Sequence, residues 1–145
     1  MILTGSNEFK KIKDSIPLGV NLLAVSKGHK HDSIRKLSGY GQLDFGESRL
    51  QEAILKKIDL IELTQLRWHF VGTLQKNKVR RVIKEFDFIH SVDSLPLLER
   101  ISRISQEEQK SPNIFLQVKF KDDPNKGGFL KEDLLKNWAK IISLN

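Results

Sequence analysis

Five short apolar runs alternate with stretches whose apolar residues recur at helical spacing, and this alternation constrains the chain more than any other feature. The runs are Asn21–Ser26, Leu43–Phe45, Trp68–Gly72, Phe88–Val92 and Ile114–Phe120, starting about 20 to 26 residues apart. Runs of this length, bounded by turn residues, read as strands, and the first, running straight into a lysine, reads as buried on both faces. A first helix over residues 7–16 carries Phe9, Ile12 and Ile16 inward and stops at Pro17. Asp32 is placed to cap a short helix with Ile34 and Leu37 inward, closed by Gly39 and Gly41. Ser48 with Gln51 three residues on forms a capping-box pattern ahead of Leu50, Ala53, Ile54, Ile58 and Ile61. Val79, Val82, Ile83 and Phe86 give the next helix its apolar side. Ser94 and Pro96 open another helix, with Leu97, Leu98, Ile101 and Ile104 inward. After a polar loop from Lys121 to Gly128, a last helix carries Leu134, Leu135, Trp138, Ile141 and Ile142. Strands alternating with helices predict an α/β fold with a parallel sheet in one domain.

In such folds ligands gather at the C-terminal ends of the strands. Those ends carry Lys27; Gly46, Glu47 and Ser48; Gly72; Ser91 and Asp93; and Gln117 and Lys119. Lys27 follows Leu22–Ser26 directly, and two roles are open to it from these residues alone. One is a lysine that has reached solvent at the end of its strand; the other is an amine held at the mouth of a sheet and used as a nucleophile. Glu47 and Asp93 read as caps or salt-bridge partners, because acid–base work would need them side by side.

The remaining chemistry narrows by exclusion. The 145 residues hold no cysteine, so disulfides and thiolate metal sites are out and a reducing cytoplasm is expected. No apolar stretch reaches the roughly 18 residues a membrane span needs, and Met1–Lys13 is polar without a secretory-signal pattern. The net charge of +7 suits an anionic ligand or nucleic acid. The densest basic cluster, Lys76, Lys78, Arg80, Arg81 and Lys84, sits on an amphipathic helix, however, and reads first as its solvated face. His29, His31, His69 and His90 stand at no metal-ligand spacing, so no metal is expected. Gly127-Gly128 lacks the pattern of a phosphate loop, and no G-x-S-x-G elbow is present.

A set of motifs then falls in order along the chain: Ala24-Val25-Ser26-Lys27; Phe45-Gly46-Glu47-Ser48-Arg49 with Gln51-Glu52-Ala53; Trp68-His69-Phe70-Val71-Gly72 with Leu74-Gln75 and Asn77-Lys78; Ser91-Val92-Asp93; Gln117-Val118; and Lys126-x-Gly128-Phe129. In this order they resemble the pyridoxal phosphate homeostasis protein family, a relative of the alanine racemase N-terminal domain. The wording around Phe45–Ala53 and Asp122–Phe129 resembles the cyanobacterial branch. Two positions depart from the family pattern, Ser48 and Lys119, where the family usually has Asn.

The resemblance implies a (β/α)8 barrel of TIM type, of which residues 1–145 supply about five βα units with a parallel sheet. The C-terminal units, including a Gly-rich phosphate segment and an arginine, are expected to be missing, as in a truncated member with two open sheet edges. It implies pyridoxal 5′-phosphate (PLP) held as a Schiff base on Lys27. Ser48, His69, Ser91 and Gln117 are the further cofactor-binding positions, and Lys126 is a secondary amine. It also implies a carrier or buffer of PLP in vitamin B6 homeostasis rather than an enzyme, with no catalytic residue. PLP-dependent client enzymes are the partners, the intact family is monomeric, and an incomplete barrel would self-associate; nucleic acid and membrane are not expected partners. A racemase-like PLP enzyme and a basic nucleic-acid-binding module are the alternatives.

Overall fold

In a computed structural model of the chain, residues 4–121 and 123–144 are described. Asp122, at the head of one resembling stretch, lies outside them, as do Met1–Leu3 and Asn145. The main sheet has five parallel strands in sequence order: β1 (Ala24–Val25), β2 (Asp44–Glu47), β3 (Arg67–Phe70), β4 (Phe88–Val92) and β5 (Asn113–Leu116). Between them run α2 (His31–Gly39), α3 (Leu50–Asp59), α4 (Val79–Glu85, after a single 3-10 turn at Lys76–Lys78) and α5 (Leu95–Glu108); α1 (Thr4–Ser15) comes first. The expected strand–helix alternation is present throughout.

The helices cover one face of the sheet. Phe45, Trp68, Phe70, Ile89 and Val92 from the strands join Ile34, Leu50, Ala53, Val79, Val82, Ile83, Leu97, Leu98, Ile101 and Ile104 from the helices in one core. The inward residues expected for α4 and α5 are all there. The other face bears no such layer, which corrects the expectation of a first strand buried on both sides: Val25 is 49% exposed, and on β5 Phe115 is 50% exposed. β1 is correspondingly short, and Asn21 lies exposed before it.

Other departures have local causes. α3 turns Leu50, Ala53 and Lys56 inward, which leaves Ile58 and Ile61 exposed instead of in the core. The expected caps at Ser48 and Asp32 do not form, since Arg49 precedes α3 and Lys30 precedes α2 without a side-chain cap; Ser94 does precede α5 as expected, but its hydroxyl donates to Asp93 (3.1 Å) instead of to the helix. The fifth predicted strand breaks at Gln117. Its amide still bonds to Val92 O (2.8 Å), while its carbonyl accepts from Phe129 N (2.7 Å). The chain thereby changes partners, and β6 (Val118–Lys119) pairs in parallel with β7 (Phe129–Leu130) in a separate two-stranded sheet. The last helix is two, α6 (Lys131–Lys136) and α7 (Trp138–Ser143), and it buries Ile141 while leaving Leu135, Trp138 and Ile142 exposed. The basic cluster is largely neutralised in place: Arg80 pairs with Glu107 and Glu108, Lys84 with Glu108 and Arg81 with Glu85.

Candidate functional site

Lys27 stands at the corner of a turn. Ser26 ends the β1 ladder by donating its amide to Gly46 O (2.9 Å), and His29 N closes back onto Ser26 O (3.0 Å). Gly28, third in that turn, has φ +76°, the signature of a type II turn and a conformation glycine adopts without steric cost. Lys27 is exposed, and among the described residues no hydrogen bond or ion pair engages its amine.

Behind this turn lies a charged cluster that the sequence did not advertise. Lys56 is buried, its side chain 7% exposed, and its Nζ donates to Ser26 O (2.8 Å), Glu47 Oε1 (2.7 Å) and Glu52 Oε1 (2.7 Å). The Ser26 hydroxyl donates to Glu47 Oε1 (2.6 Å), and the Gly28 amide donates to Glu52 Oε1 (2.8 Å). Glu47 is fully buried, and its Oε2 has no partner among the described residues. A buried charge persists only when paired and hydrogen-bonded, and this cluster meets that condition for Lys56 three times over. The Glu52 carboxyl is held below its ordinary value, first by the Lys56 hydrogen bond and then by that of the Gly28 amide. Glu47 thus takes the salt-bridge role expected of it. The signal the sequence held for Lys56 was its place four residues after Glu52, the spacing of a helical ion pair.

Ser48 and Gly72 meet at the ends of β2 and β3. A Cβ at Gly72 would strike the Ser48 carbonyl, so this approach of two backbones requires glycine. Gln117 and Lys126 also meet, through a loop. Gln117 Nε2 donates to Gly127 O (2.8 Å), and Gly127 lies against the Asp93 carboxylate. Lys126 projects from that loop, 3.9 Å from Asp123. Together with Thr73, Lys119 and Lys121 these residues line a cleft of about 640 Å³.

His69 and Ser91 are placed differently. The register Val25–Gly46–His69–Phe88 sets His69 in the layer below Lys27, toward the N-terminal ends of the strands. Both its ring nitrogens are engaged, by His90 Nε2 (2.9 Å) and Asp44 Oδ1 (2.9 Å), and Asp44 also binds Arg67. His69 stacks on Phe88 at 4.1 Å, and His90 on Phe115 at 4.4 Å. Burial, then the neighbouring His69, pushes His90 below its ordinary value. For Asp44 burial acts upward, but the hydrogen bonds from Arg67 and His69 outweigh it and hold the carboxyl low. Ser91 sits beside a register shift in β4, buried, its hydroxyl without a partner among the described residues. Among the described residues no three His, Cys, Asp or Glu side chains form a metal-holding group.

Comparison with known proteins fixes the family. The family model of the alanine racemase N-terminal domain matches residues 6–145. The chain belongs to this family. Among its relatives, the pyridoxal phosphate homeostasis protein of Synechocystis is 40% identical over 126 residues, which are 87% of this chain and 58% of that protein. The Escherichia coli protein of the same name is 33% identical over 130 residues, 88% of this chain and 56% of that one. Two structures of PipY from Synechococcus elongatus, one without PLP and one with PLP bound, superpose with TM-scores of 0.93 and 0.91 at 43% and 41% identity, covering 97% of this chain and 65% of theirs. An alanine racemase from Clostridium difficile shares the fold, with a TM-score of 0.75 at 18% identity. The architecture is therefore that of the family's TIM-barrel-like domain, five βα units of which lie in this chain. The chain spans somewhat more than half the length of these homeostasis proteins. Among the described residues no helix is long and apolar enough to cross a membrane.

Proposed function

We propose that this chain binds PLP through Lys27 and serves as a cytoplasmic carrier or buffer of the cofactor, handing it to PLP-dependent enzymes rather than turning over a substrate. The observation that carries the reading is Lys27 itself: an exposed amine, unengaged among the described residues, set by a tight turn at the C-terminal end of β1. PLP, when bound, supplies an aldehyde that condenses reversibly with a primary amine. The donor set fits such a group. Lys27 offers the amine, and Lys119, Lys121 and Lys126 give the cleft past the end of β5 a positive lining suited to an anion. Gln117 holds the loop that carries Lys126, so its part is to position that loop. His69 is committed to Asp44 and His90 and would support the site from beneath. The relatives named for PLP homeostasis, and PipY with PLP bound, support the same reading. A carrier role is favoured over racemisation by the relatives, which are named for PLP homeostasis.

The test is to incubate the chain with PLP, reduce with borohydride and map the adduct. A visible absorbance band and a trapped adduct on Lys27 are expected, both lost in Lys27→Ala. An adduct of equal yield in that variant, or none in the native chain, overturns the assignment, and turnover of alanine would replace carrier with racemase.

A further inference from the structure

We infer that Glu52, oriented by Lys56, is a positioning residue for Lys27: it clamps the turn from which that lysine projects. The inference rests on the reading of Lys27 as the PLP-binding amine; it adds Lys56, which lies outside the resembling motifs, and gives Glu52 a role that its motif did not assign.

The geometry is specific to Lys27. The peptide groups on both its sides are tied to one charged cluster on α3 and β2. On the N-terminal side, the Ser26 carbonyl accepts from Lys56 Nζ (2.8 Å) and the Ser26 hydroxyl donates to Glu47 (2.6 Å). On the C-terminal side, the Gly28 amide donates to Glu52 Oε1 (2.8 Å), the same oxygen that accepts from Lys56 (2.7 Å). The residue between them is thus held at both peptide bonds while its own side chain stays free. β1 needs this support. It is two residues long, it lies at the edge of the five-stranded sheet, and the turn after it passes through a left-handed glycine. A two-residue edge strand alone would leave the lysine on a fraying end. Binding costs the entropy of ordering a mobile amine unless the protein has ordered its backbone beforehand.

The parts divide the work. Glu47 is wholly buried and anchors Lys56; Lys56 is fixed by three acceptors and holds Glu52 in place; Glu52, half-buried in the first turn of α3, makes the contact to Gly28. Because its side chain reaches the surface, Glu52 can be changed without opening the core.

Two substitutions in the full chain test this. Glu52→Ala removes the acceptor for the Gly28 amide; Glu52→Gln keeps a neutral acceptor at the same reach. Two readouts are compared: hydrogen exchange of the Gly28 amide in the chain without PLP, and the PLP concentration that half-saturates the borohydride-trapped Lys27 adduct. A hydrogen bond to a charged group is strong enough that its loss should speed Gly28 exchange and raise the half-saturating concentration about tenfold each. Glu52→Gln should recover most of both, with thermal unfolding of either variant close to native. Native-like exchange and half-saturation in a folded Glu52→Ala overturn the positioning role, as does equal damage in Glu52→Gln, which would point to net charge instead. If the native chain forms no Lys27 adduct, the PLP reading fails on its own, while Gly28 exchange still decides whether Glu52 clamps the turn.

Discussion

His90 and Asp44 sit on the open face of the sheet, joined through His69, and their proton affinities are tuned in the same direction. His90 is held below its ordinary value by burial and by His69. In the unfolded chain it would take up a proton near pH 6.5, the usual value for histidine. As pH falls through that value the unfolded state binds a proton that the native state resists, so stability declines. Asp44 adds its own loss only under more acid conditions: its depressed carboxyl contributes stability above the ordinary carboxylate range and gives it up as pH drops through and below it. The thermal midpoint should therefore fall between pH 7.5 and 5.5, and His90→Gln, which keeps a hydrogen bond to His69 without titrating, should flatten that slope. An unchanged slope in the variant would assign the pH dependence elsewhere. Neither histidine's role was legible in the sequence, where each stood alone in a strand; the pair exists because β3 and β4 lie side by side.

At the scale of elements, α3 and α4 make a controlled comparison. Both carry apolar residues at helical spacing, yet Ile83 on α4 is wholly buried while Ile58 on α3 is 62% exposed. Ile83→Ala should cost about 3 kcal/mol in urea unfolding. Ile58→Ala should stay within about 0.5 kcal/mol. Comparable losses would contradict the orientation of α3. The periodicity of α4 and α5 could be read from the sequence because every inward position is apolar and both helices pack on the sheet and on each other. α3 defeated that reading because its inward place is held by Lys56, a residue that elsewhere marks the solvent side. The same substitution hid half of the candidate site: Lys27 could be found from its position after a strand, whereas the cluster behind it becomes visible only when α3 is rotated to bury a charge. The splitting of the last helix and the short β7 were hidden for other reasons. β7 depends on the chain changing partners at Gln117, a tertiary event that leaves no period in the sequence, and the last helix divides at Asn137, whose side chain donates to Asp133 O (2.8 Å).

Across the whole molecule, the order β1 to β5 was recoverable because parallel strands joined by helices admit few arrangements. Which face would stay open was not, since both faces carry apolar residues. Leu23, Phe88 and Phe115 line that open side beside Arg67 and Asp44, and a chain of these 145 residues presents them to solvent.

The exchange of partners at Gln117 divides the molecule by mechanical coupling as well as by topology. Up to that residue, strands and helices share a single core. Beyond it, the chain is fastened by the Gln117 backbone and side-chain hydrogen bonds, the contact of Gly127 with Asp93, the packing of Phe129 and Ile141, and the α7 link from Lys140 to Glu99. The segment between them holds Lys119, Lys121 and Lys126 in an exposed or half-exposed bend. Trypsin should therefore cut there first, leaving a resistant fragment that ends just after the five-stranded sheet. Early cleavage inside α4 or α5 would be inconsistent with this division.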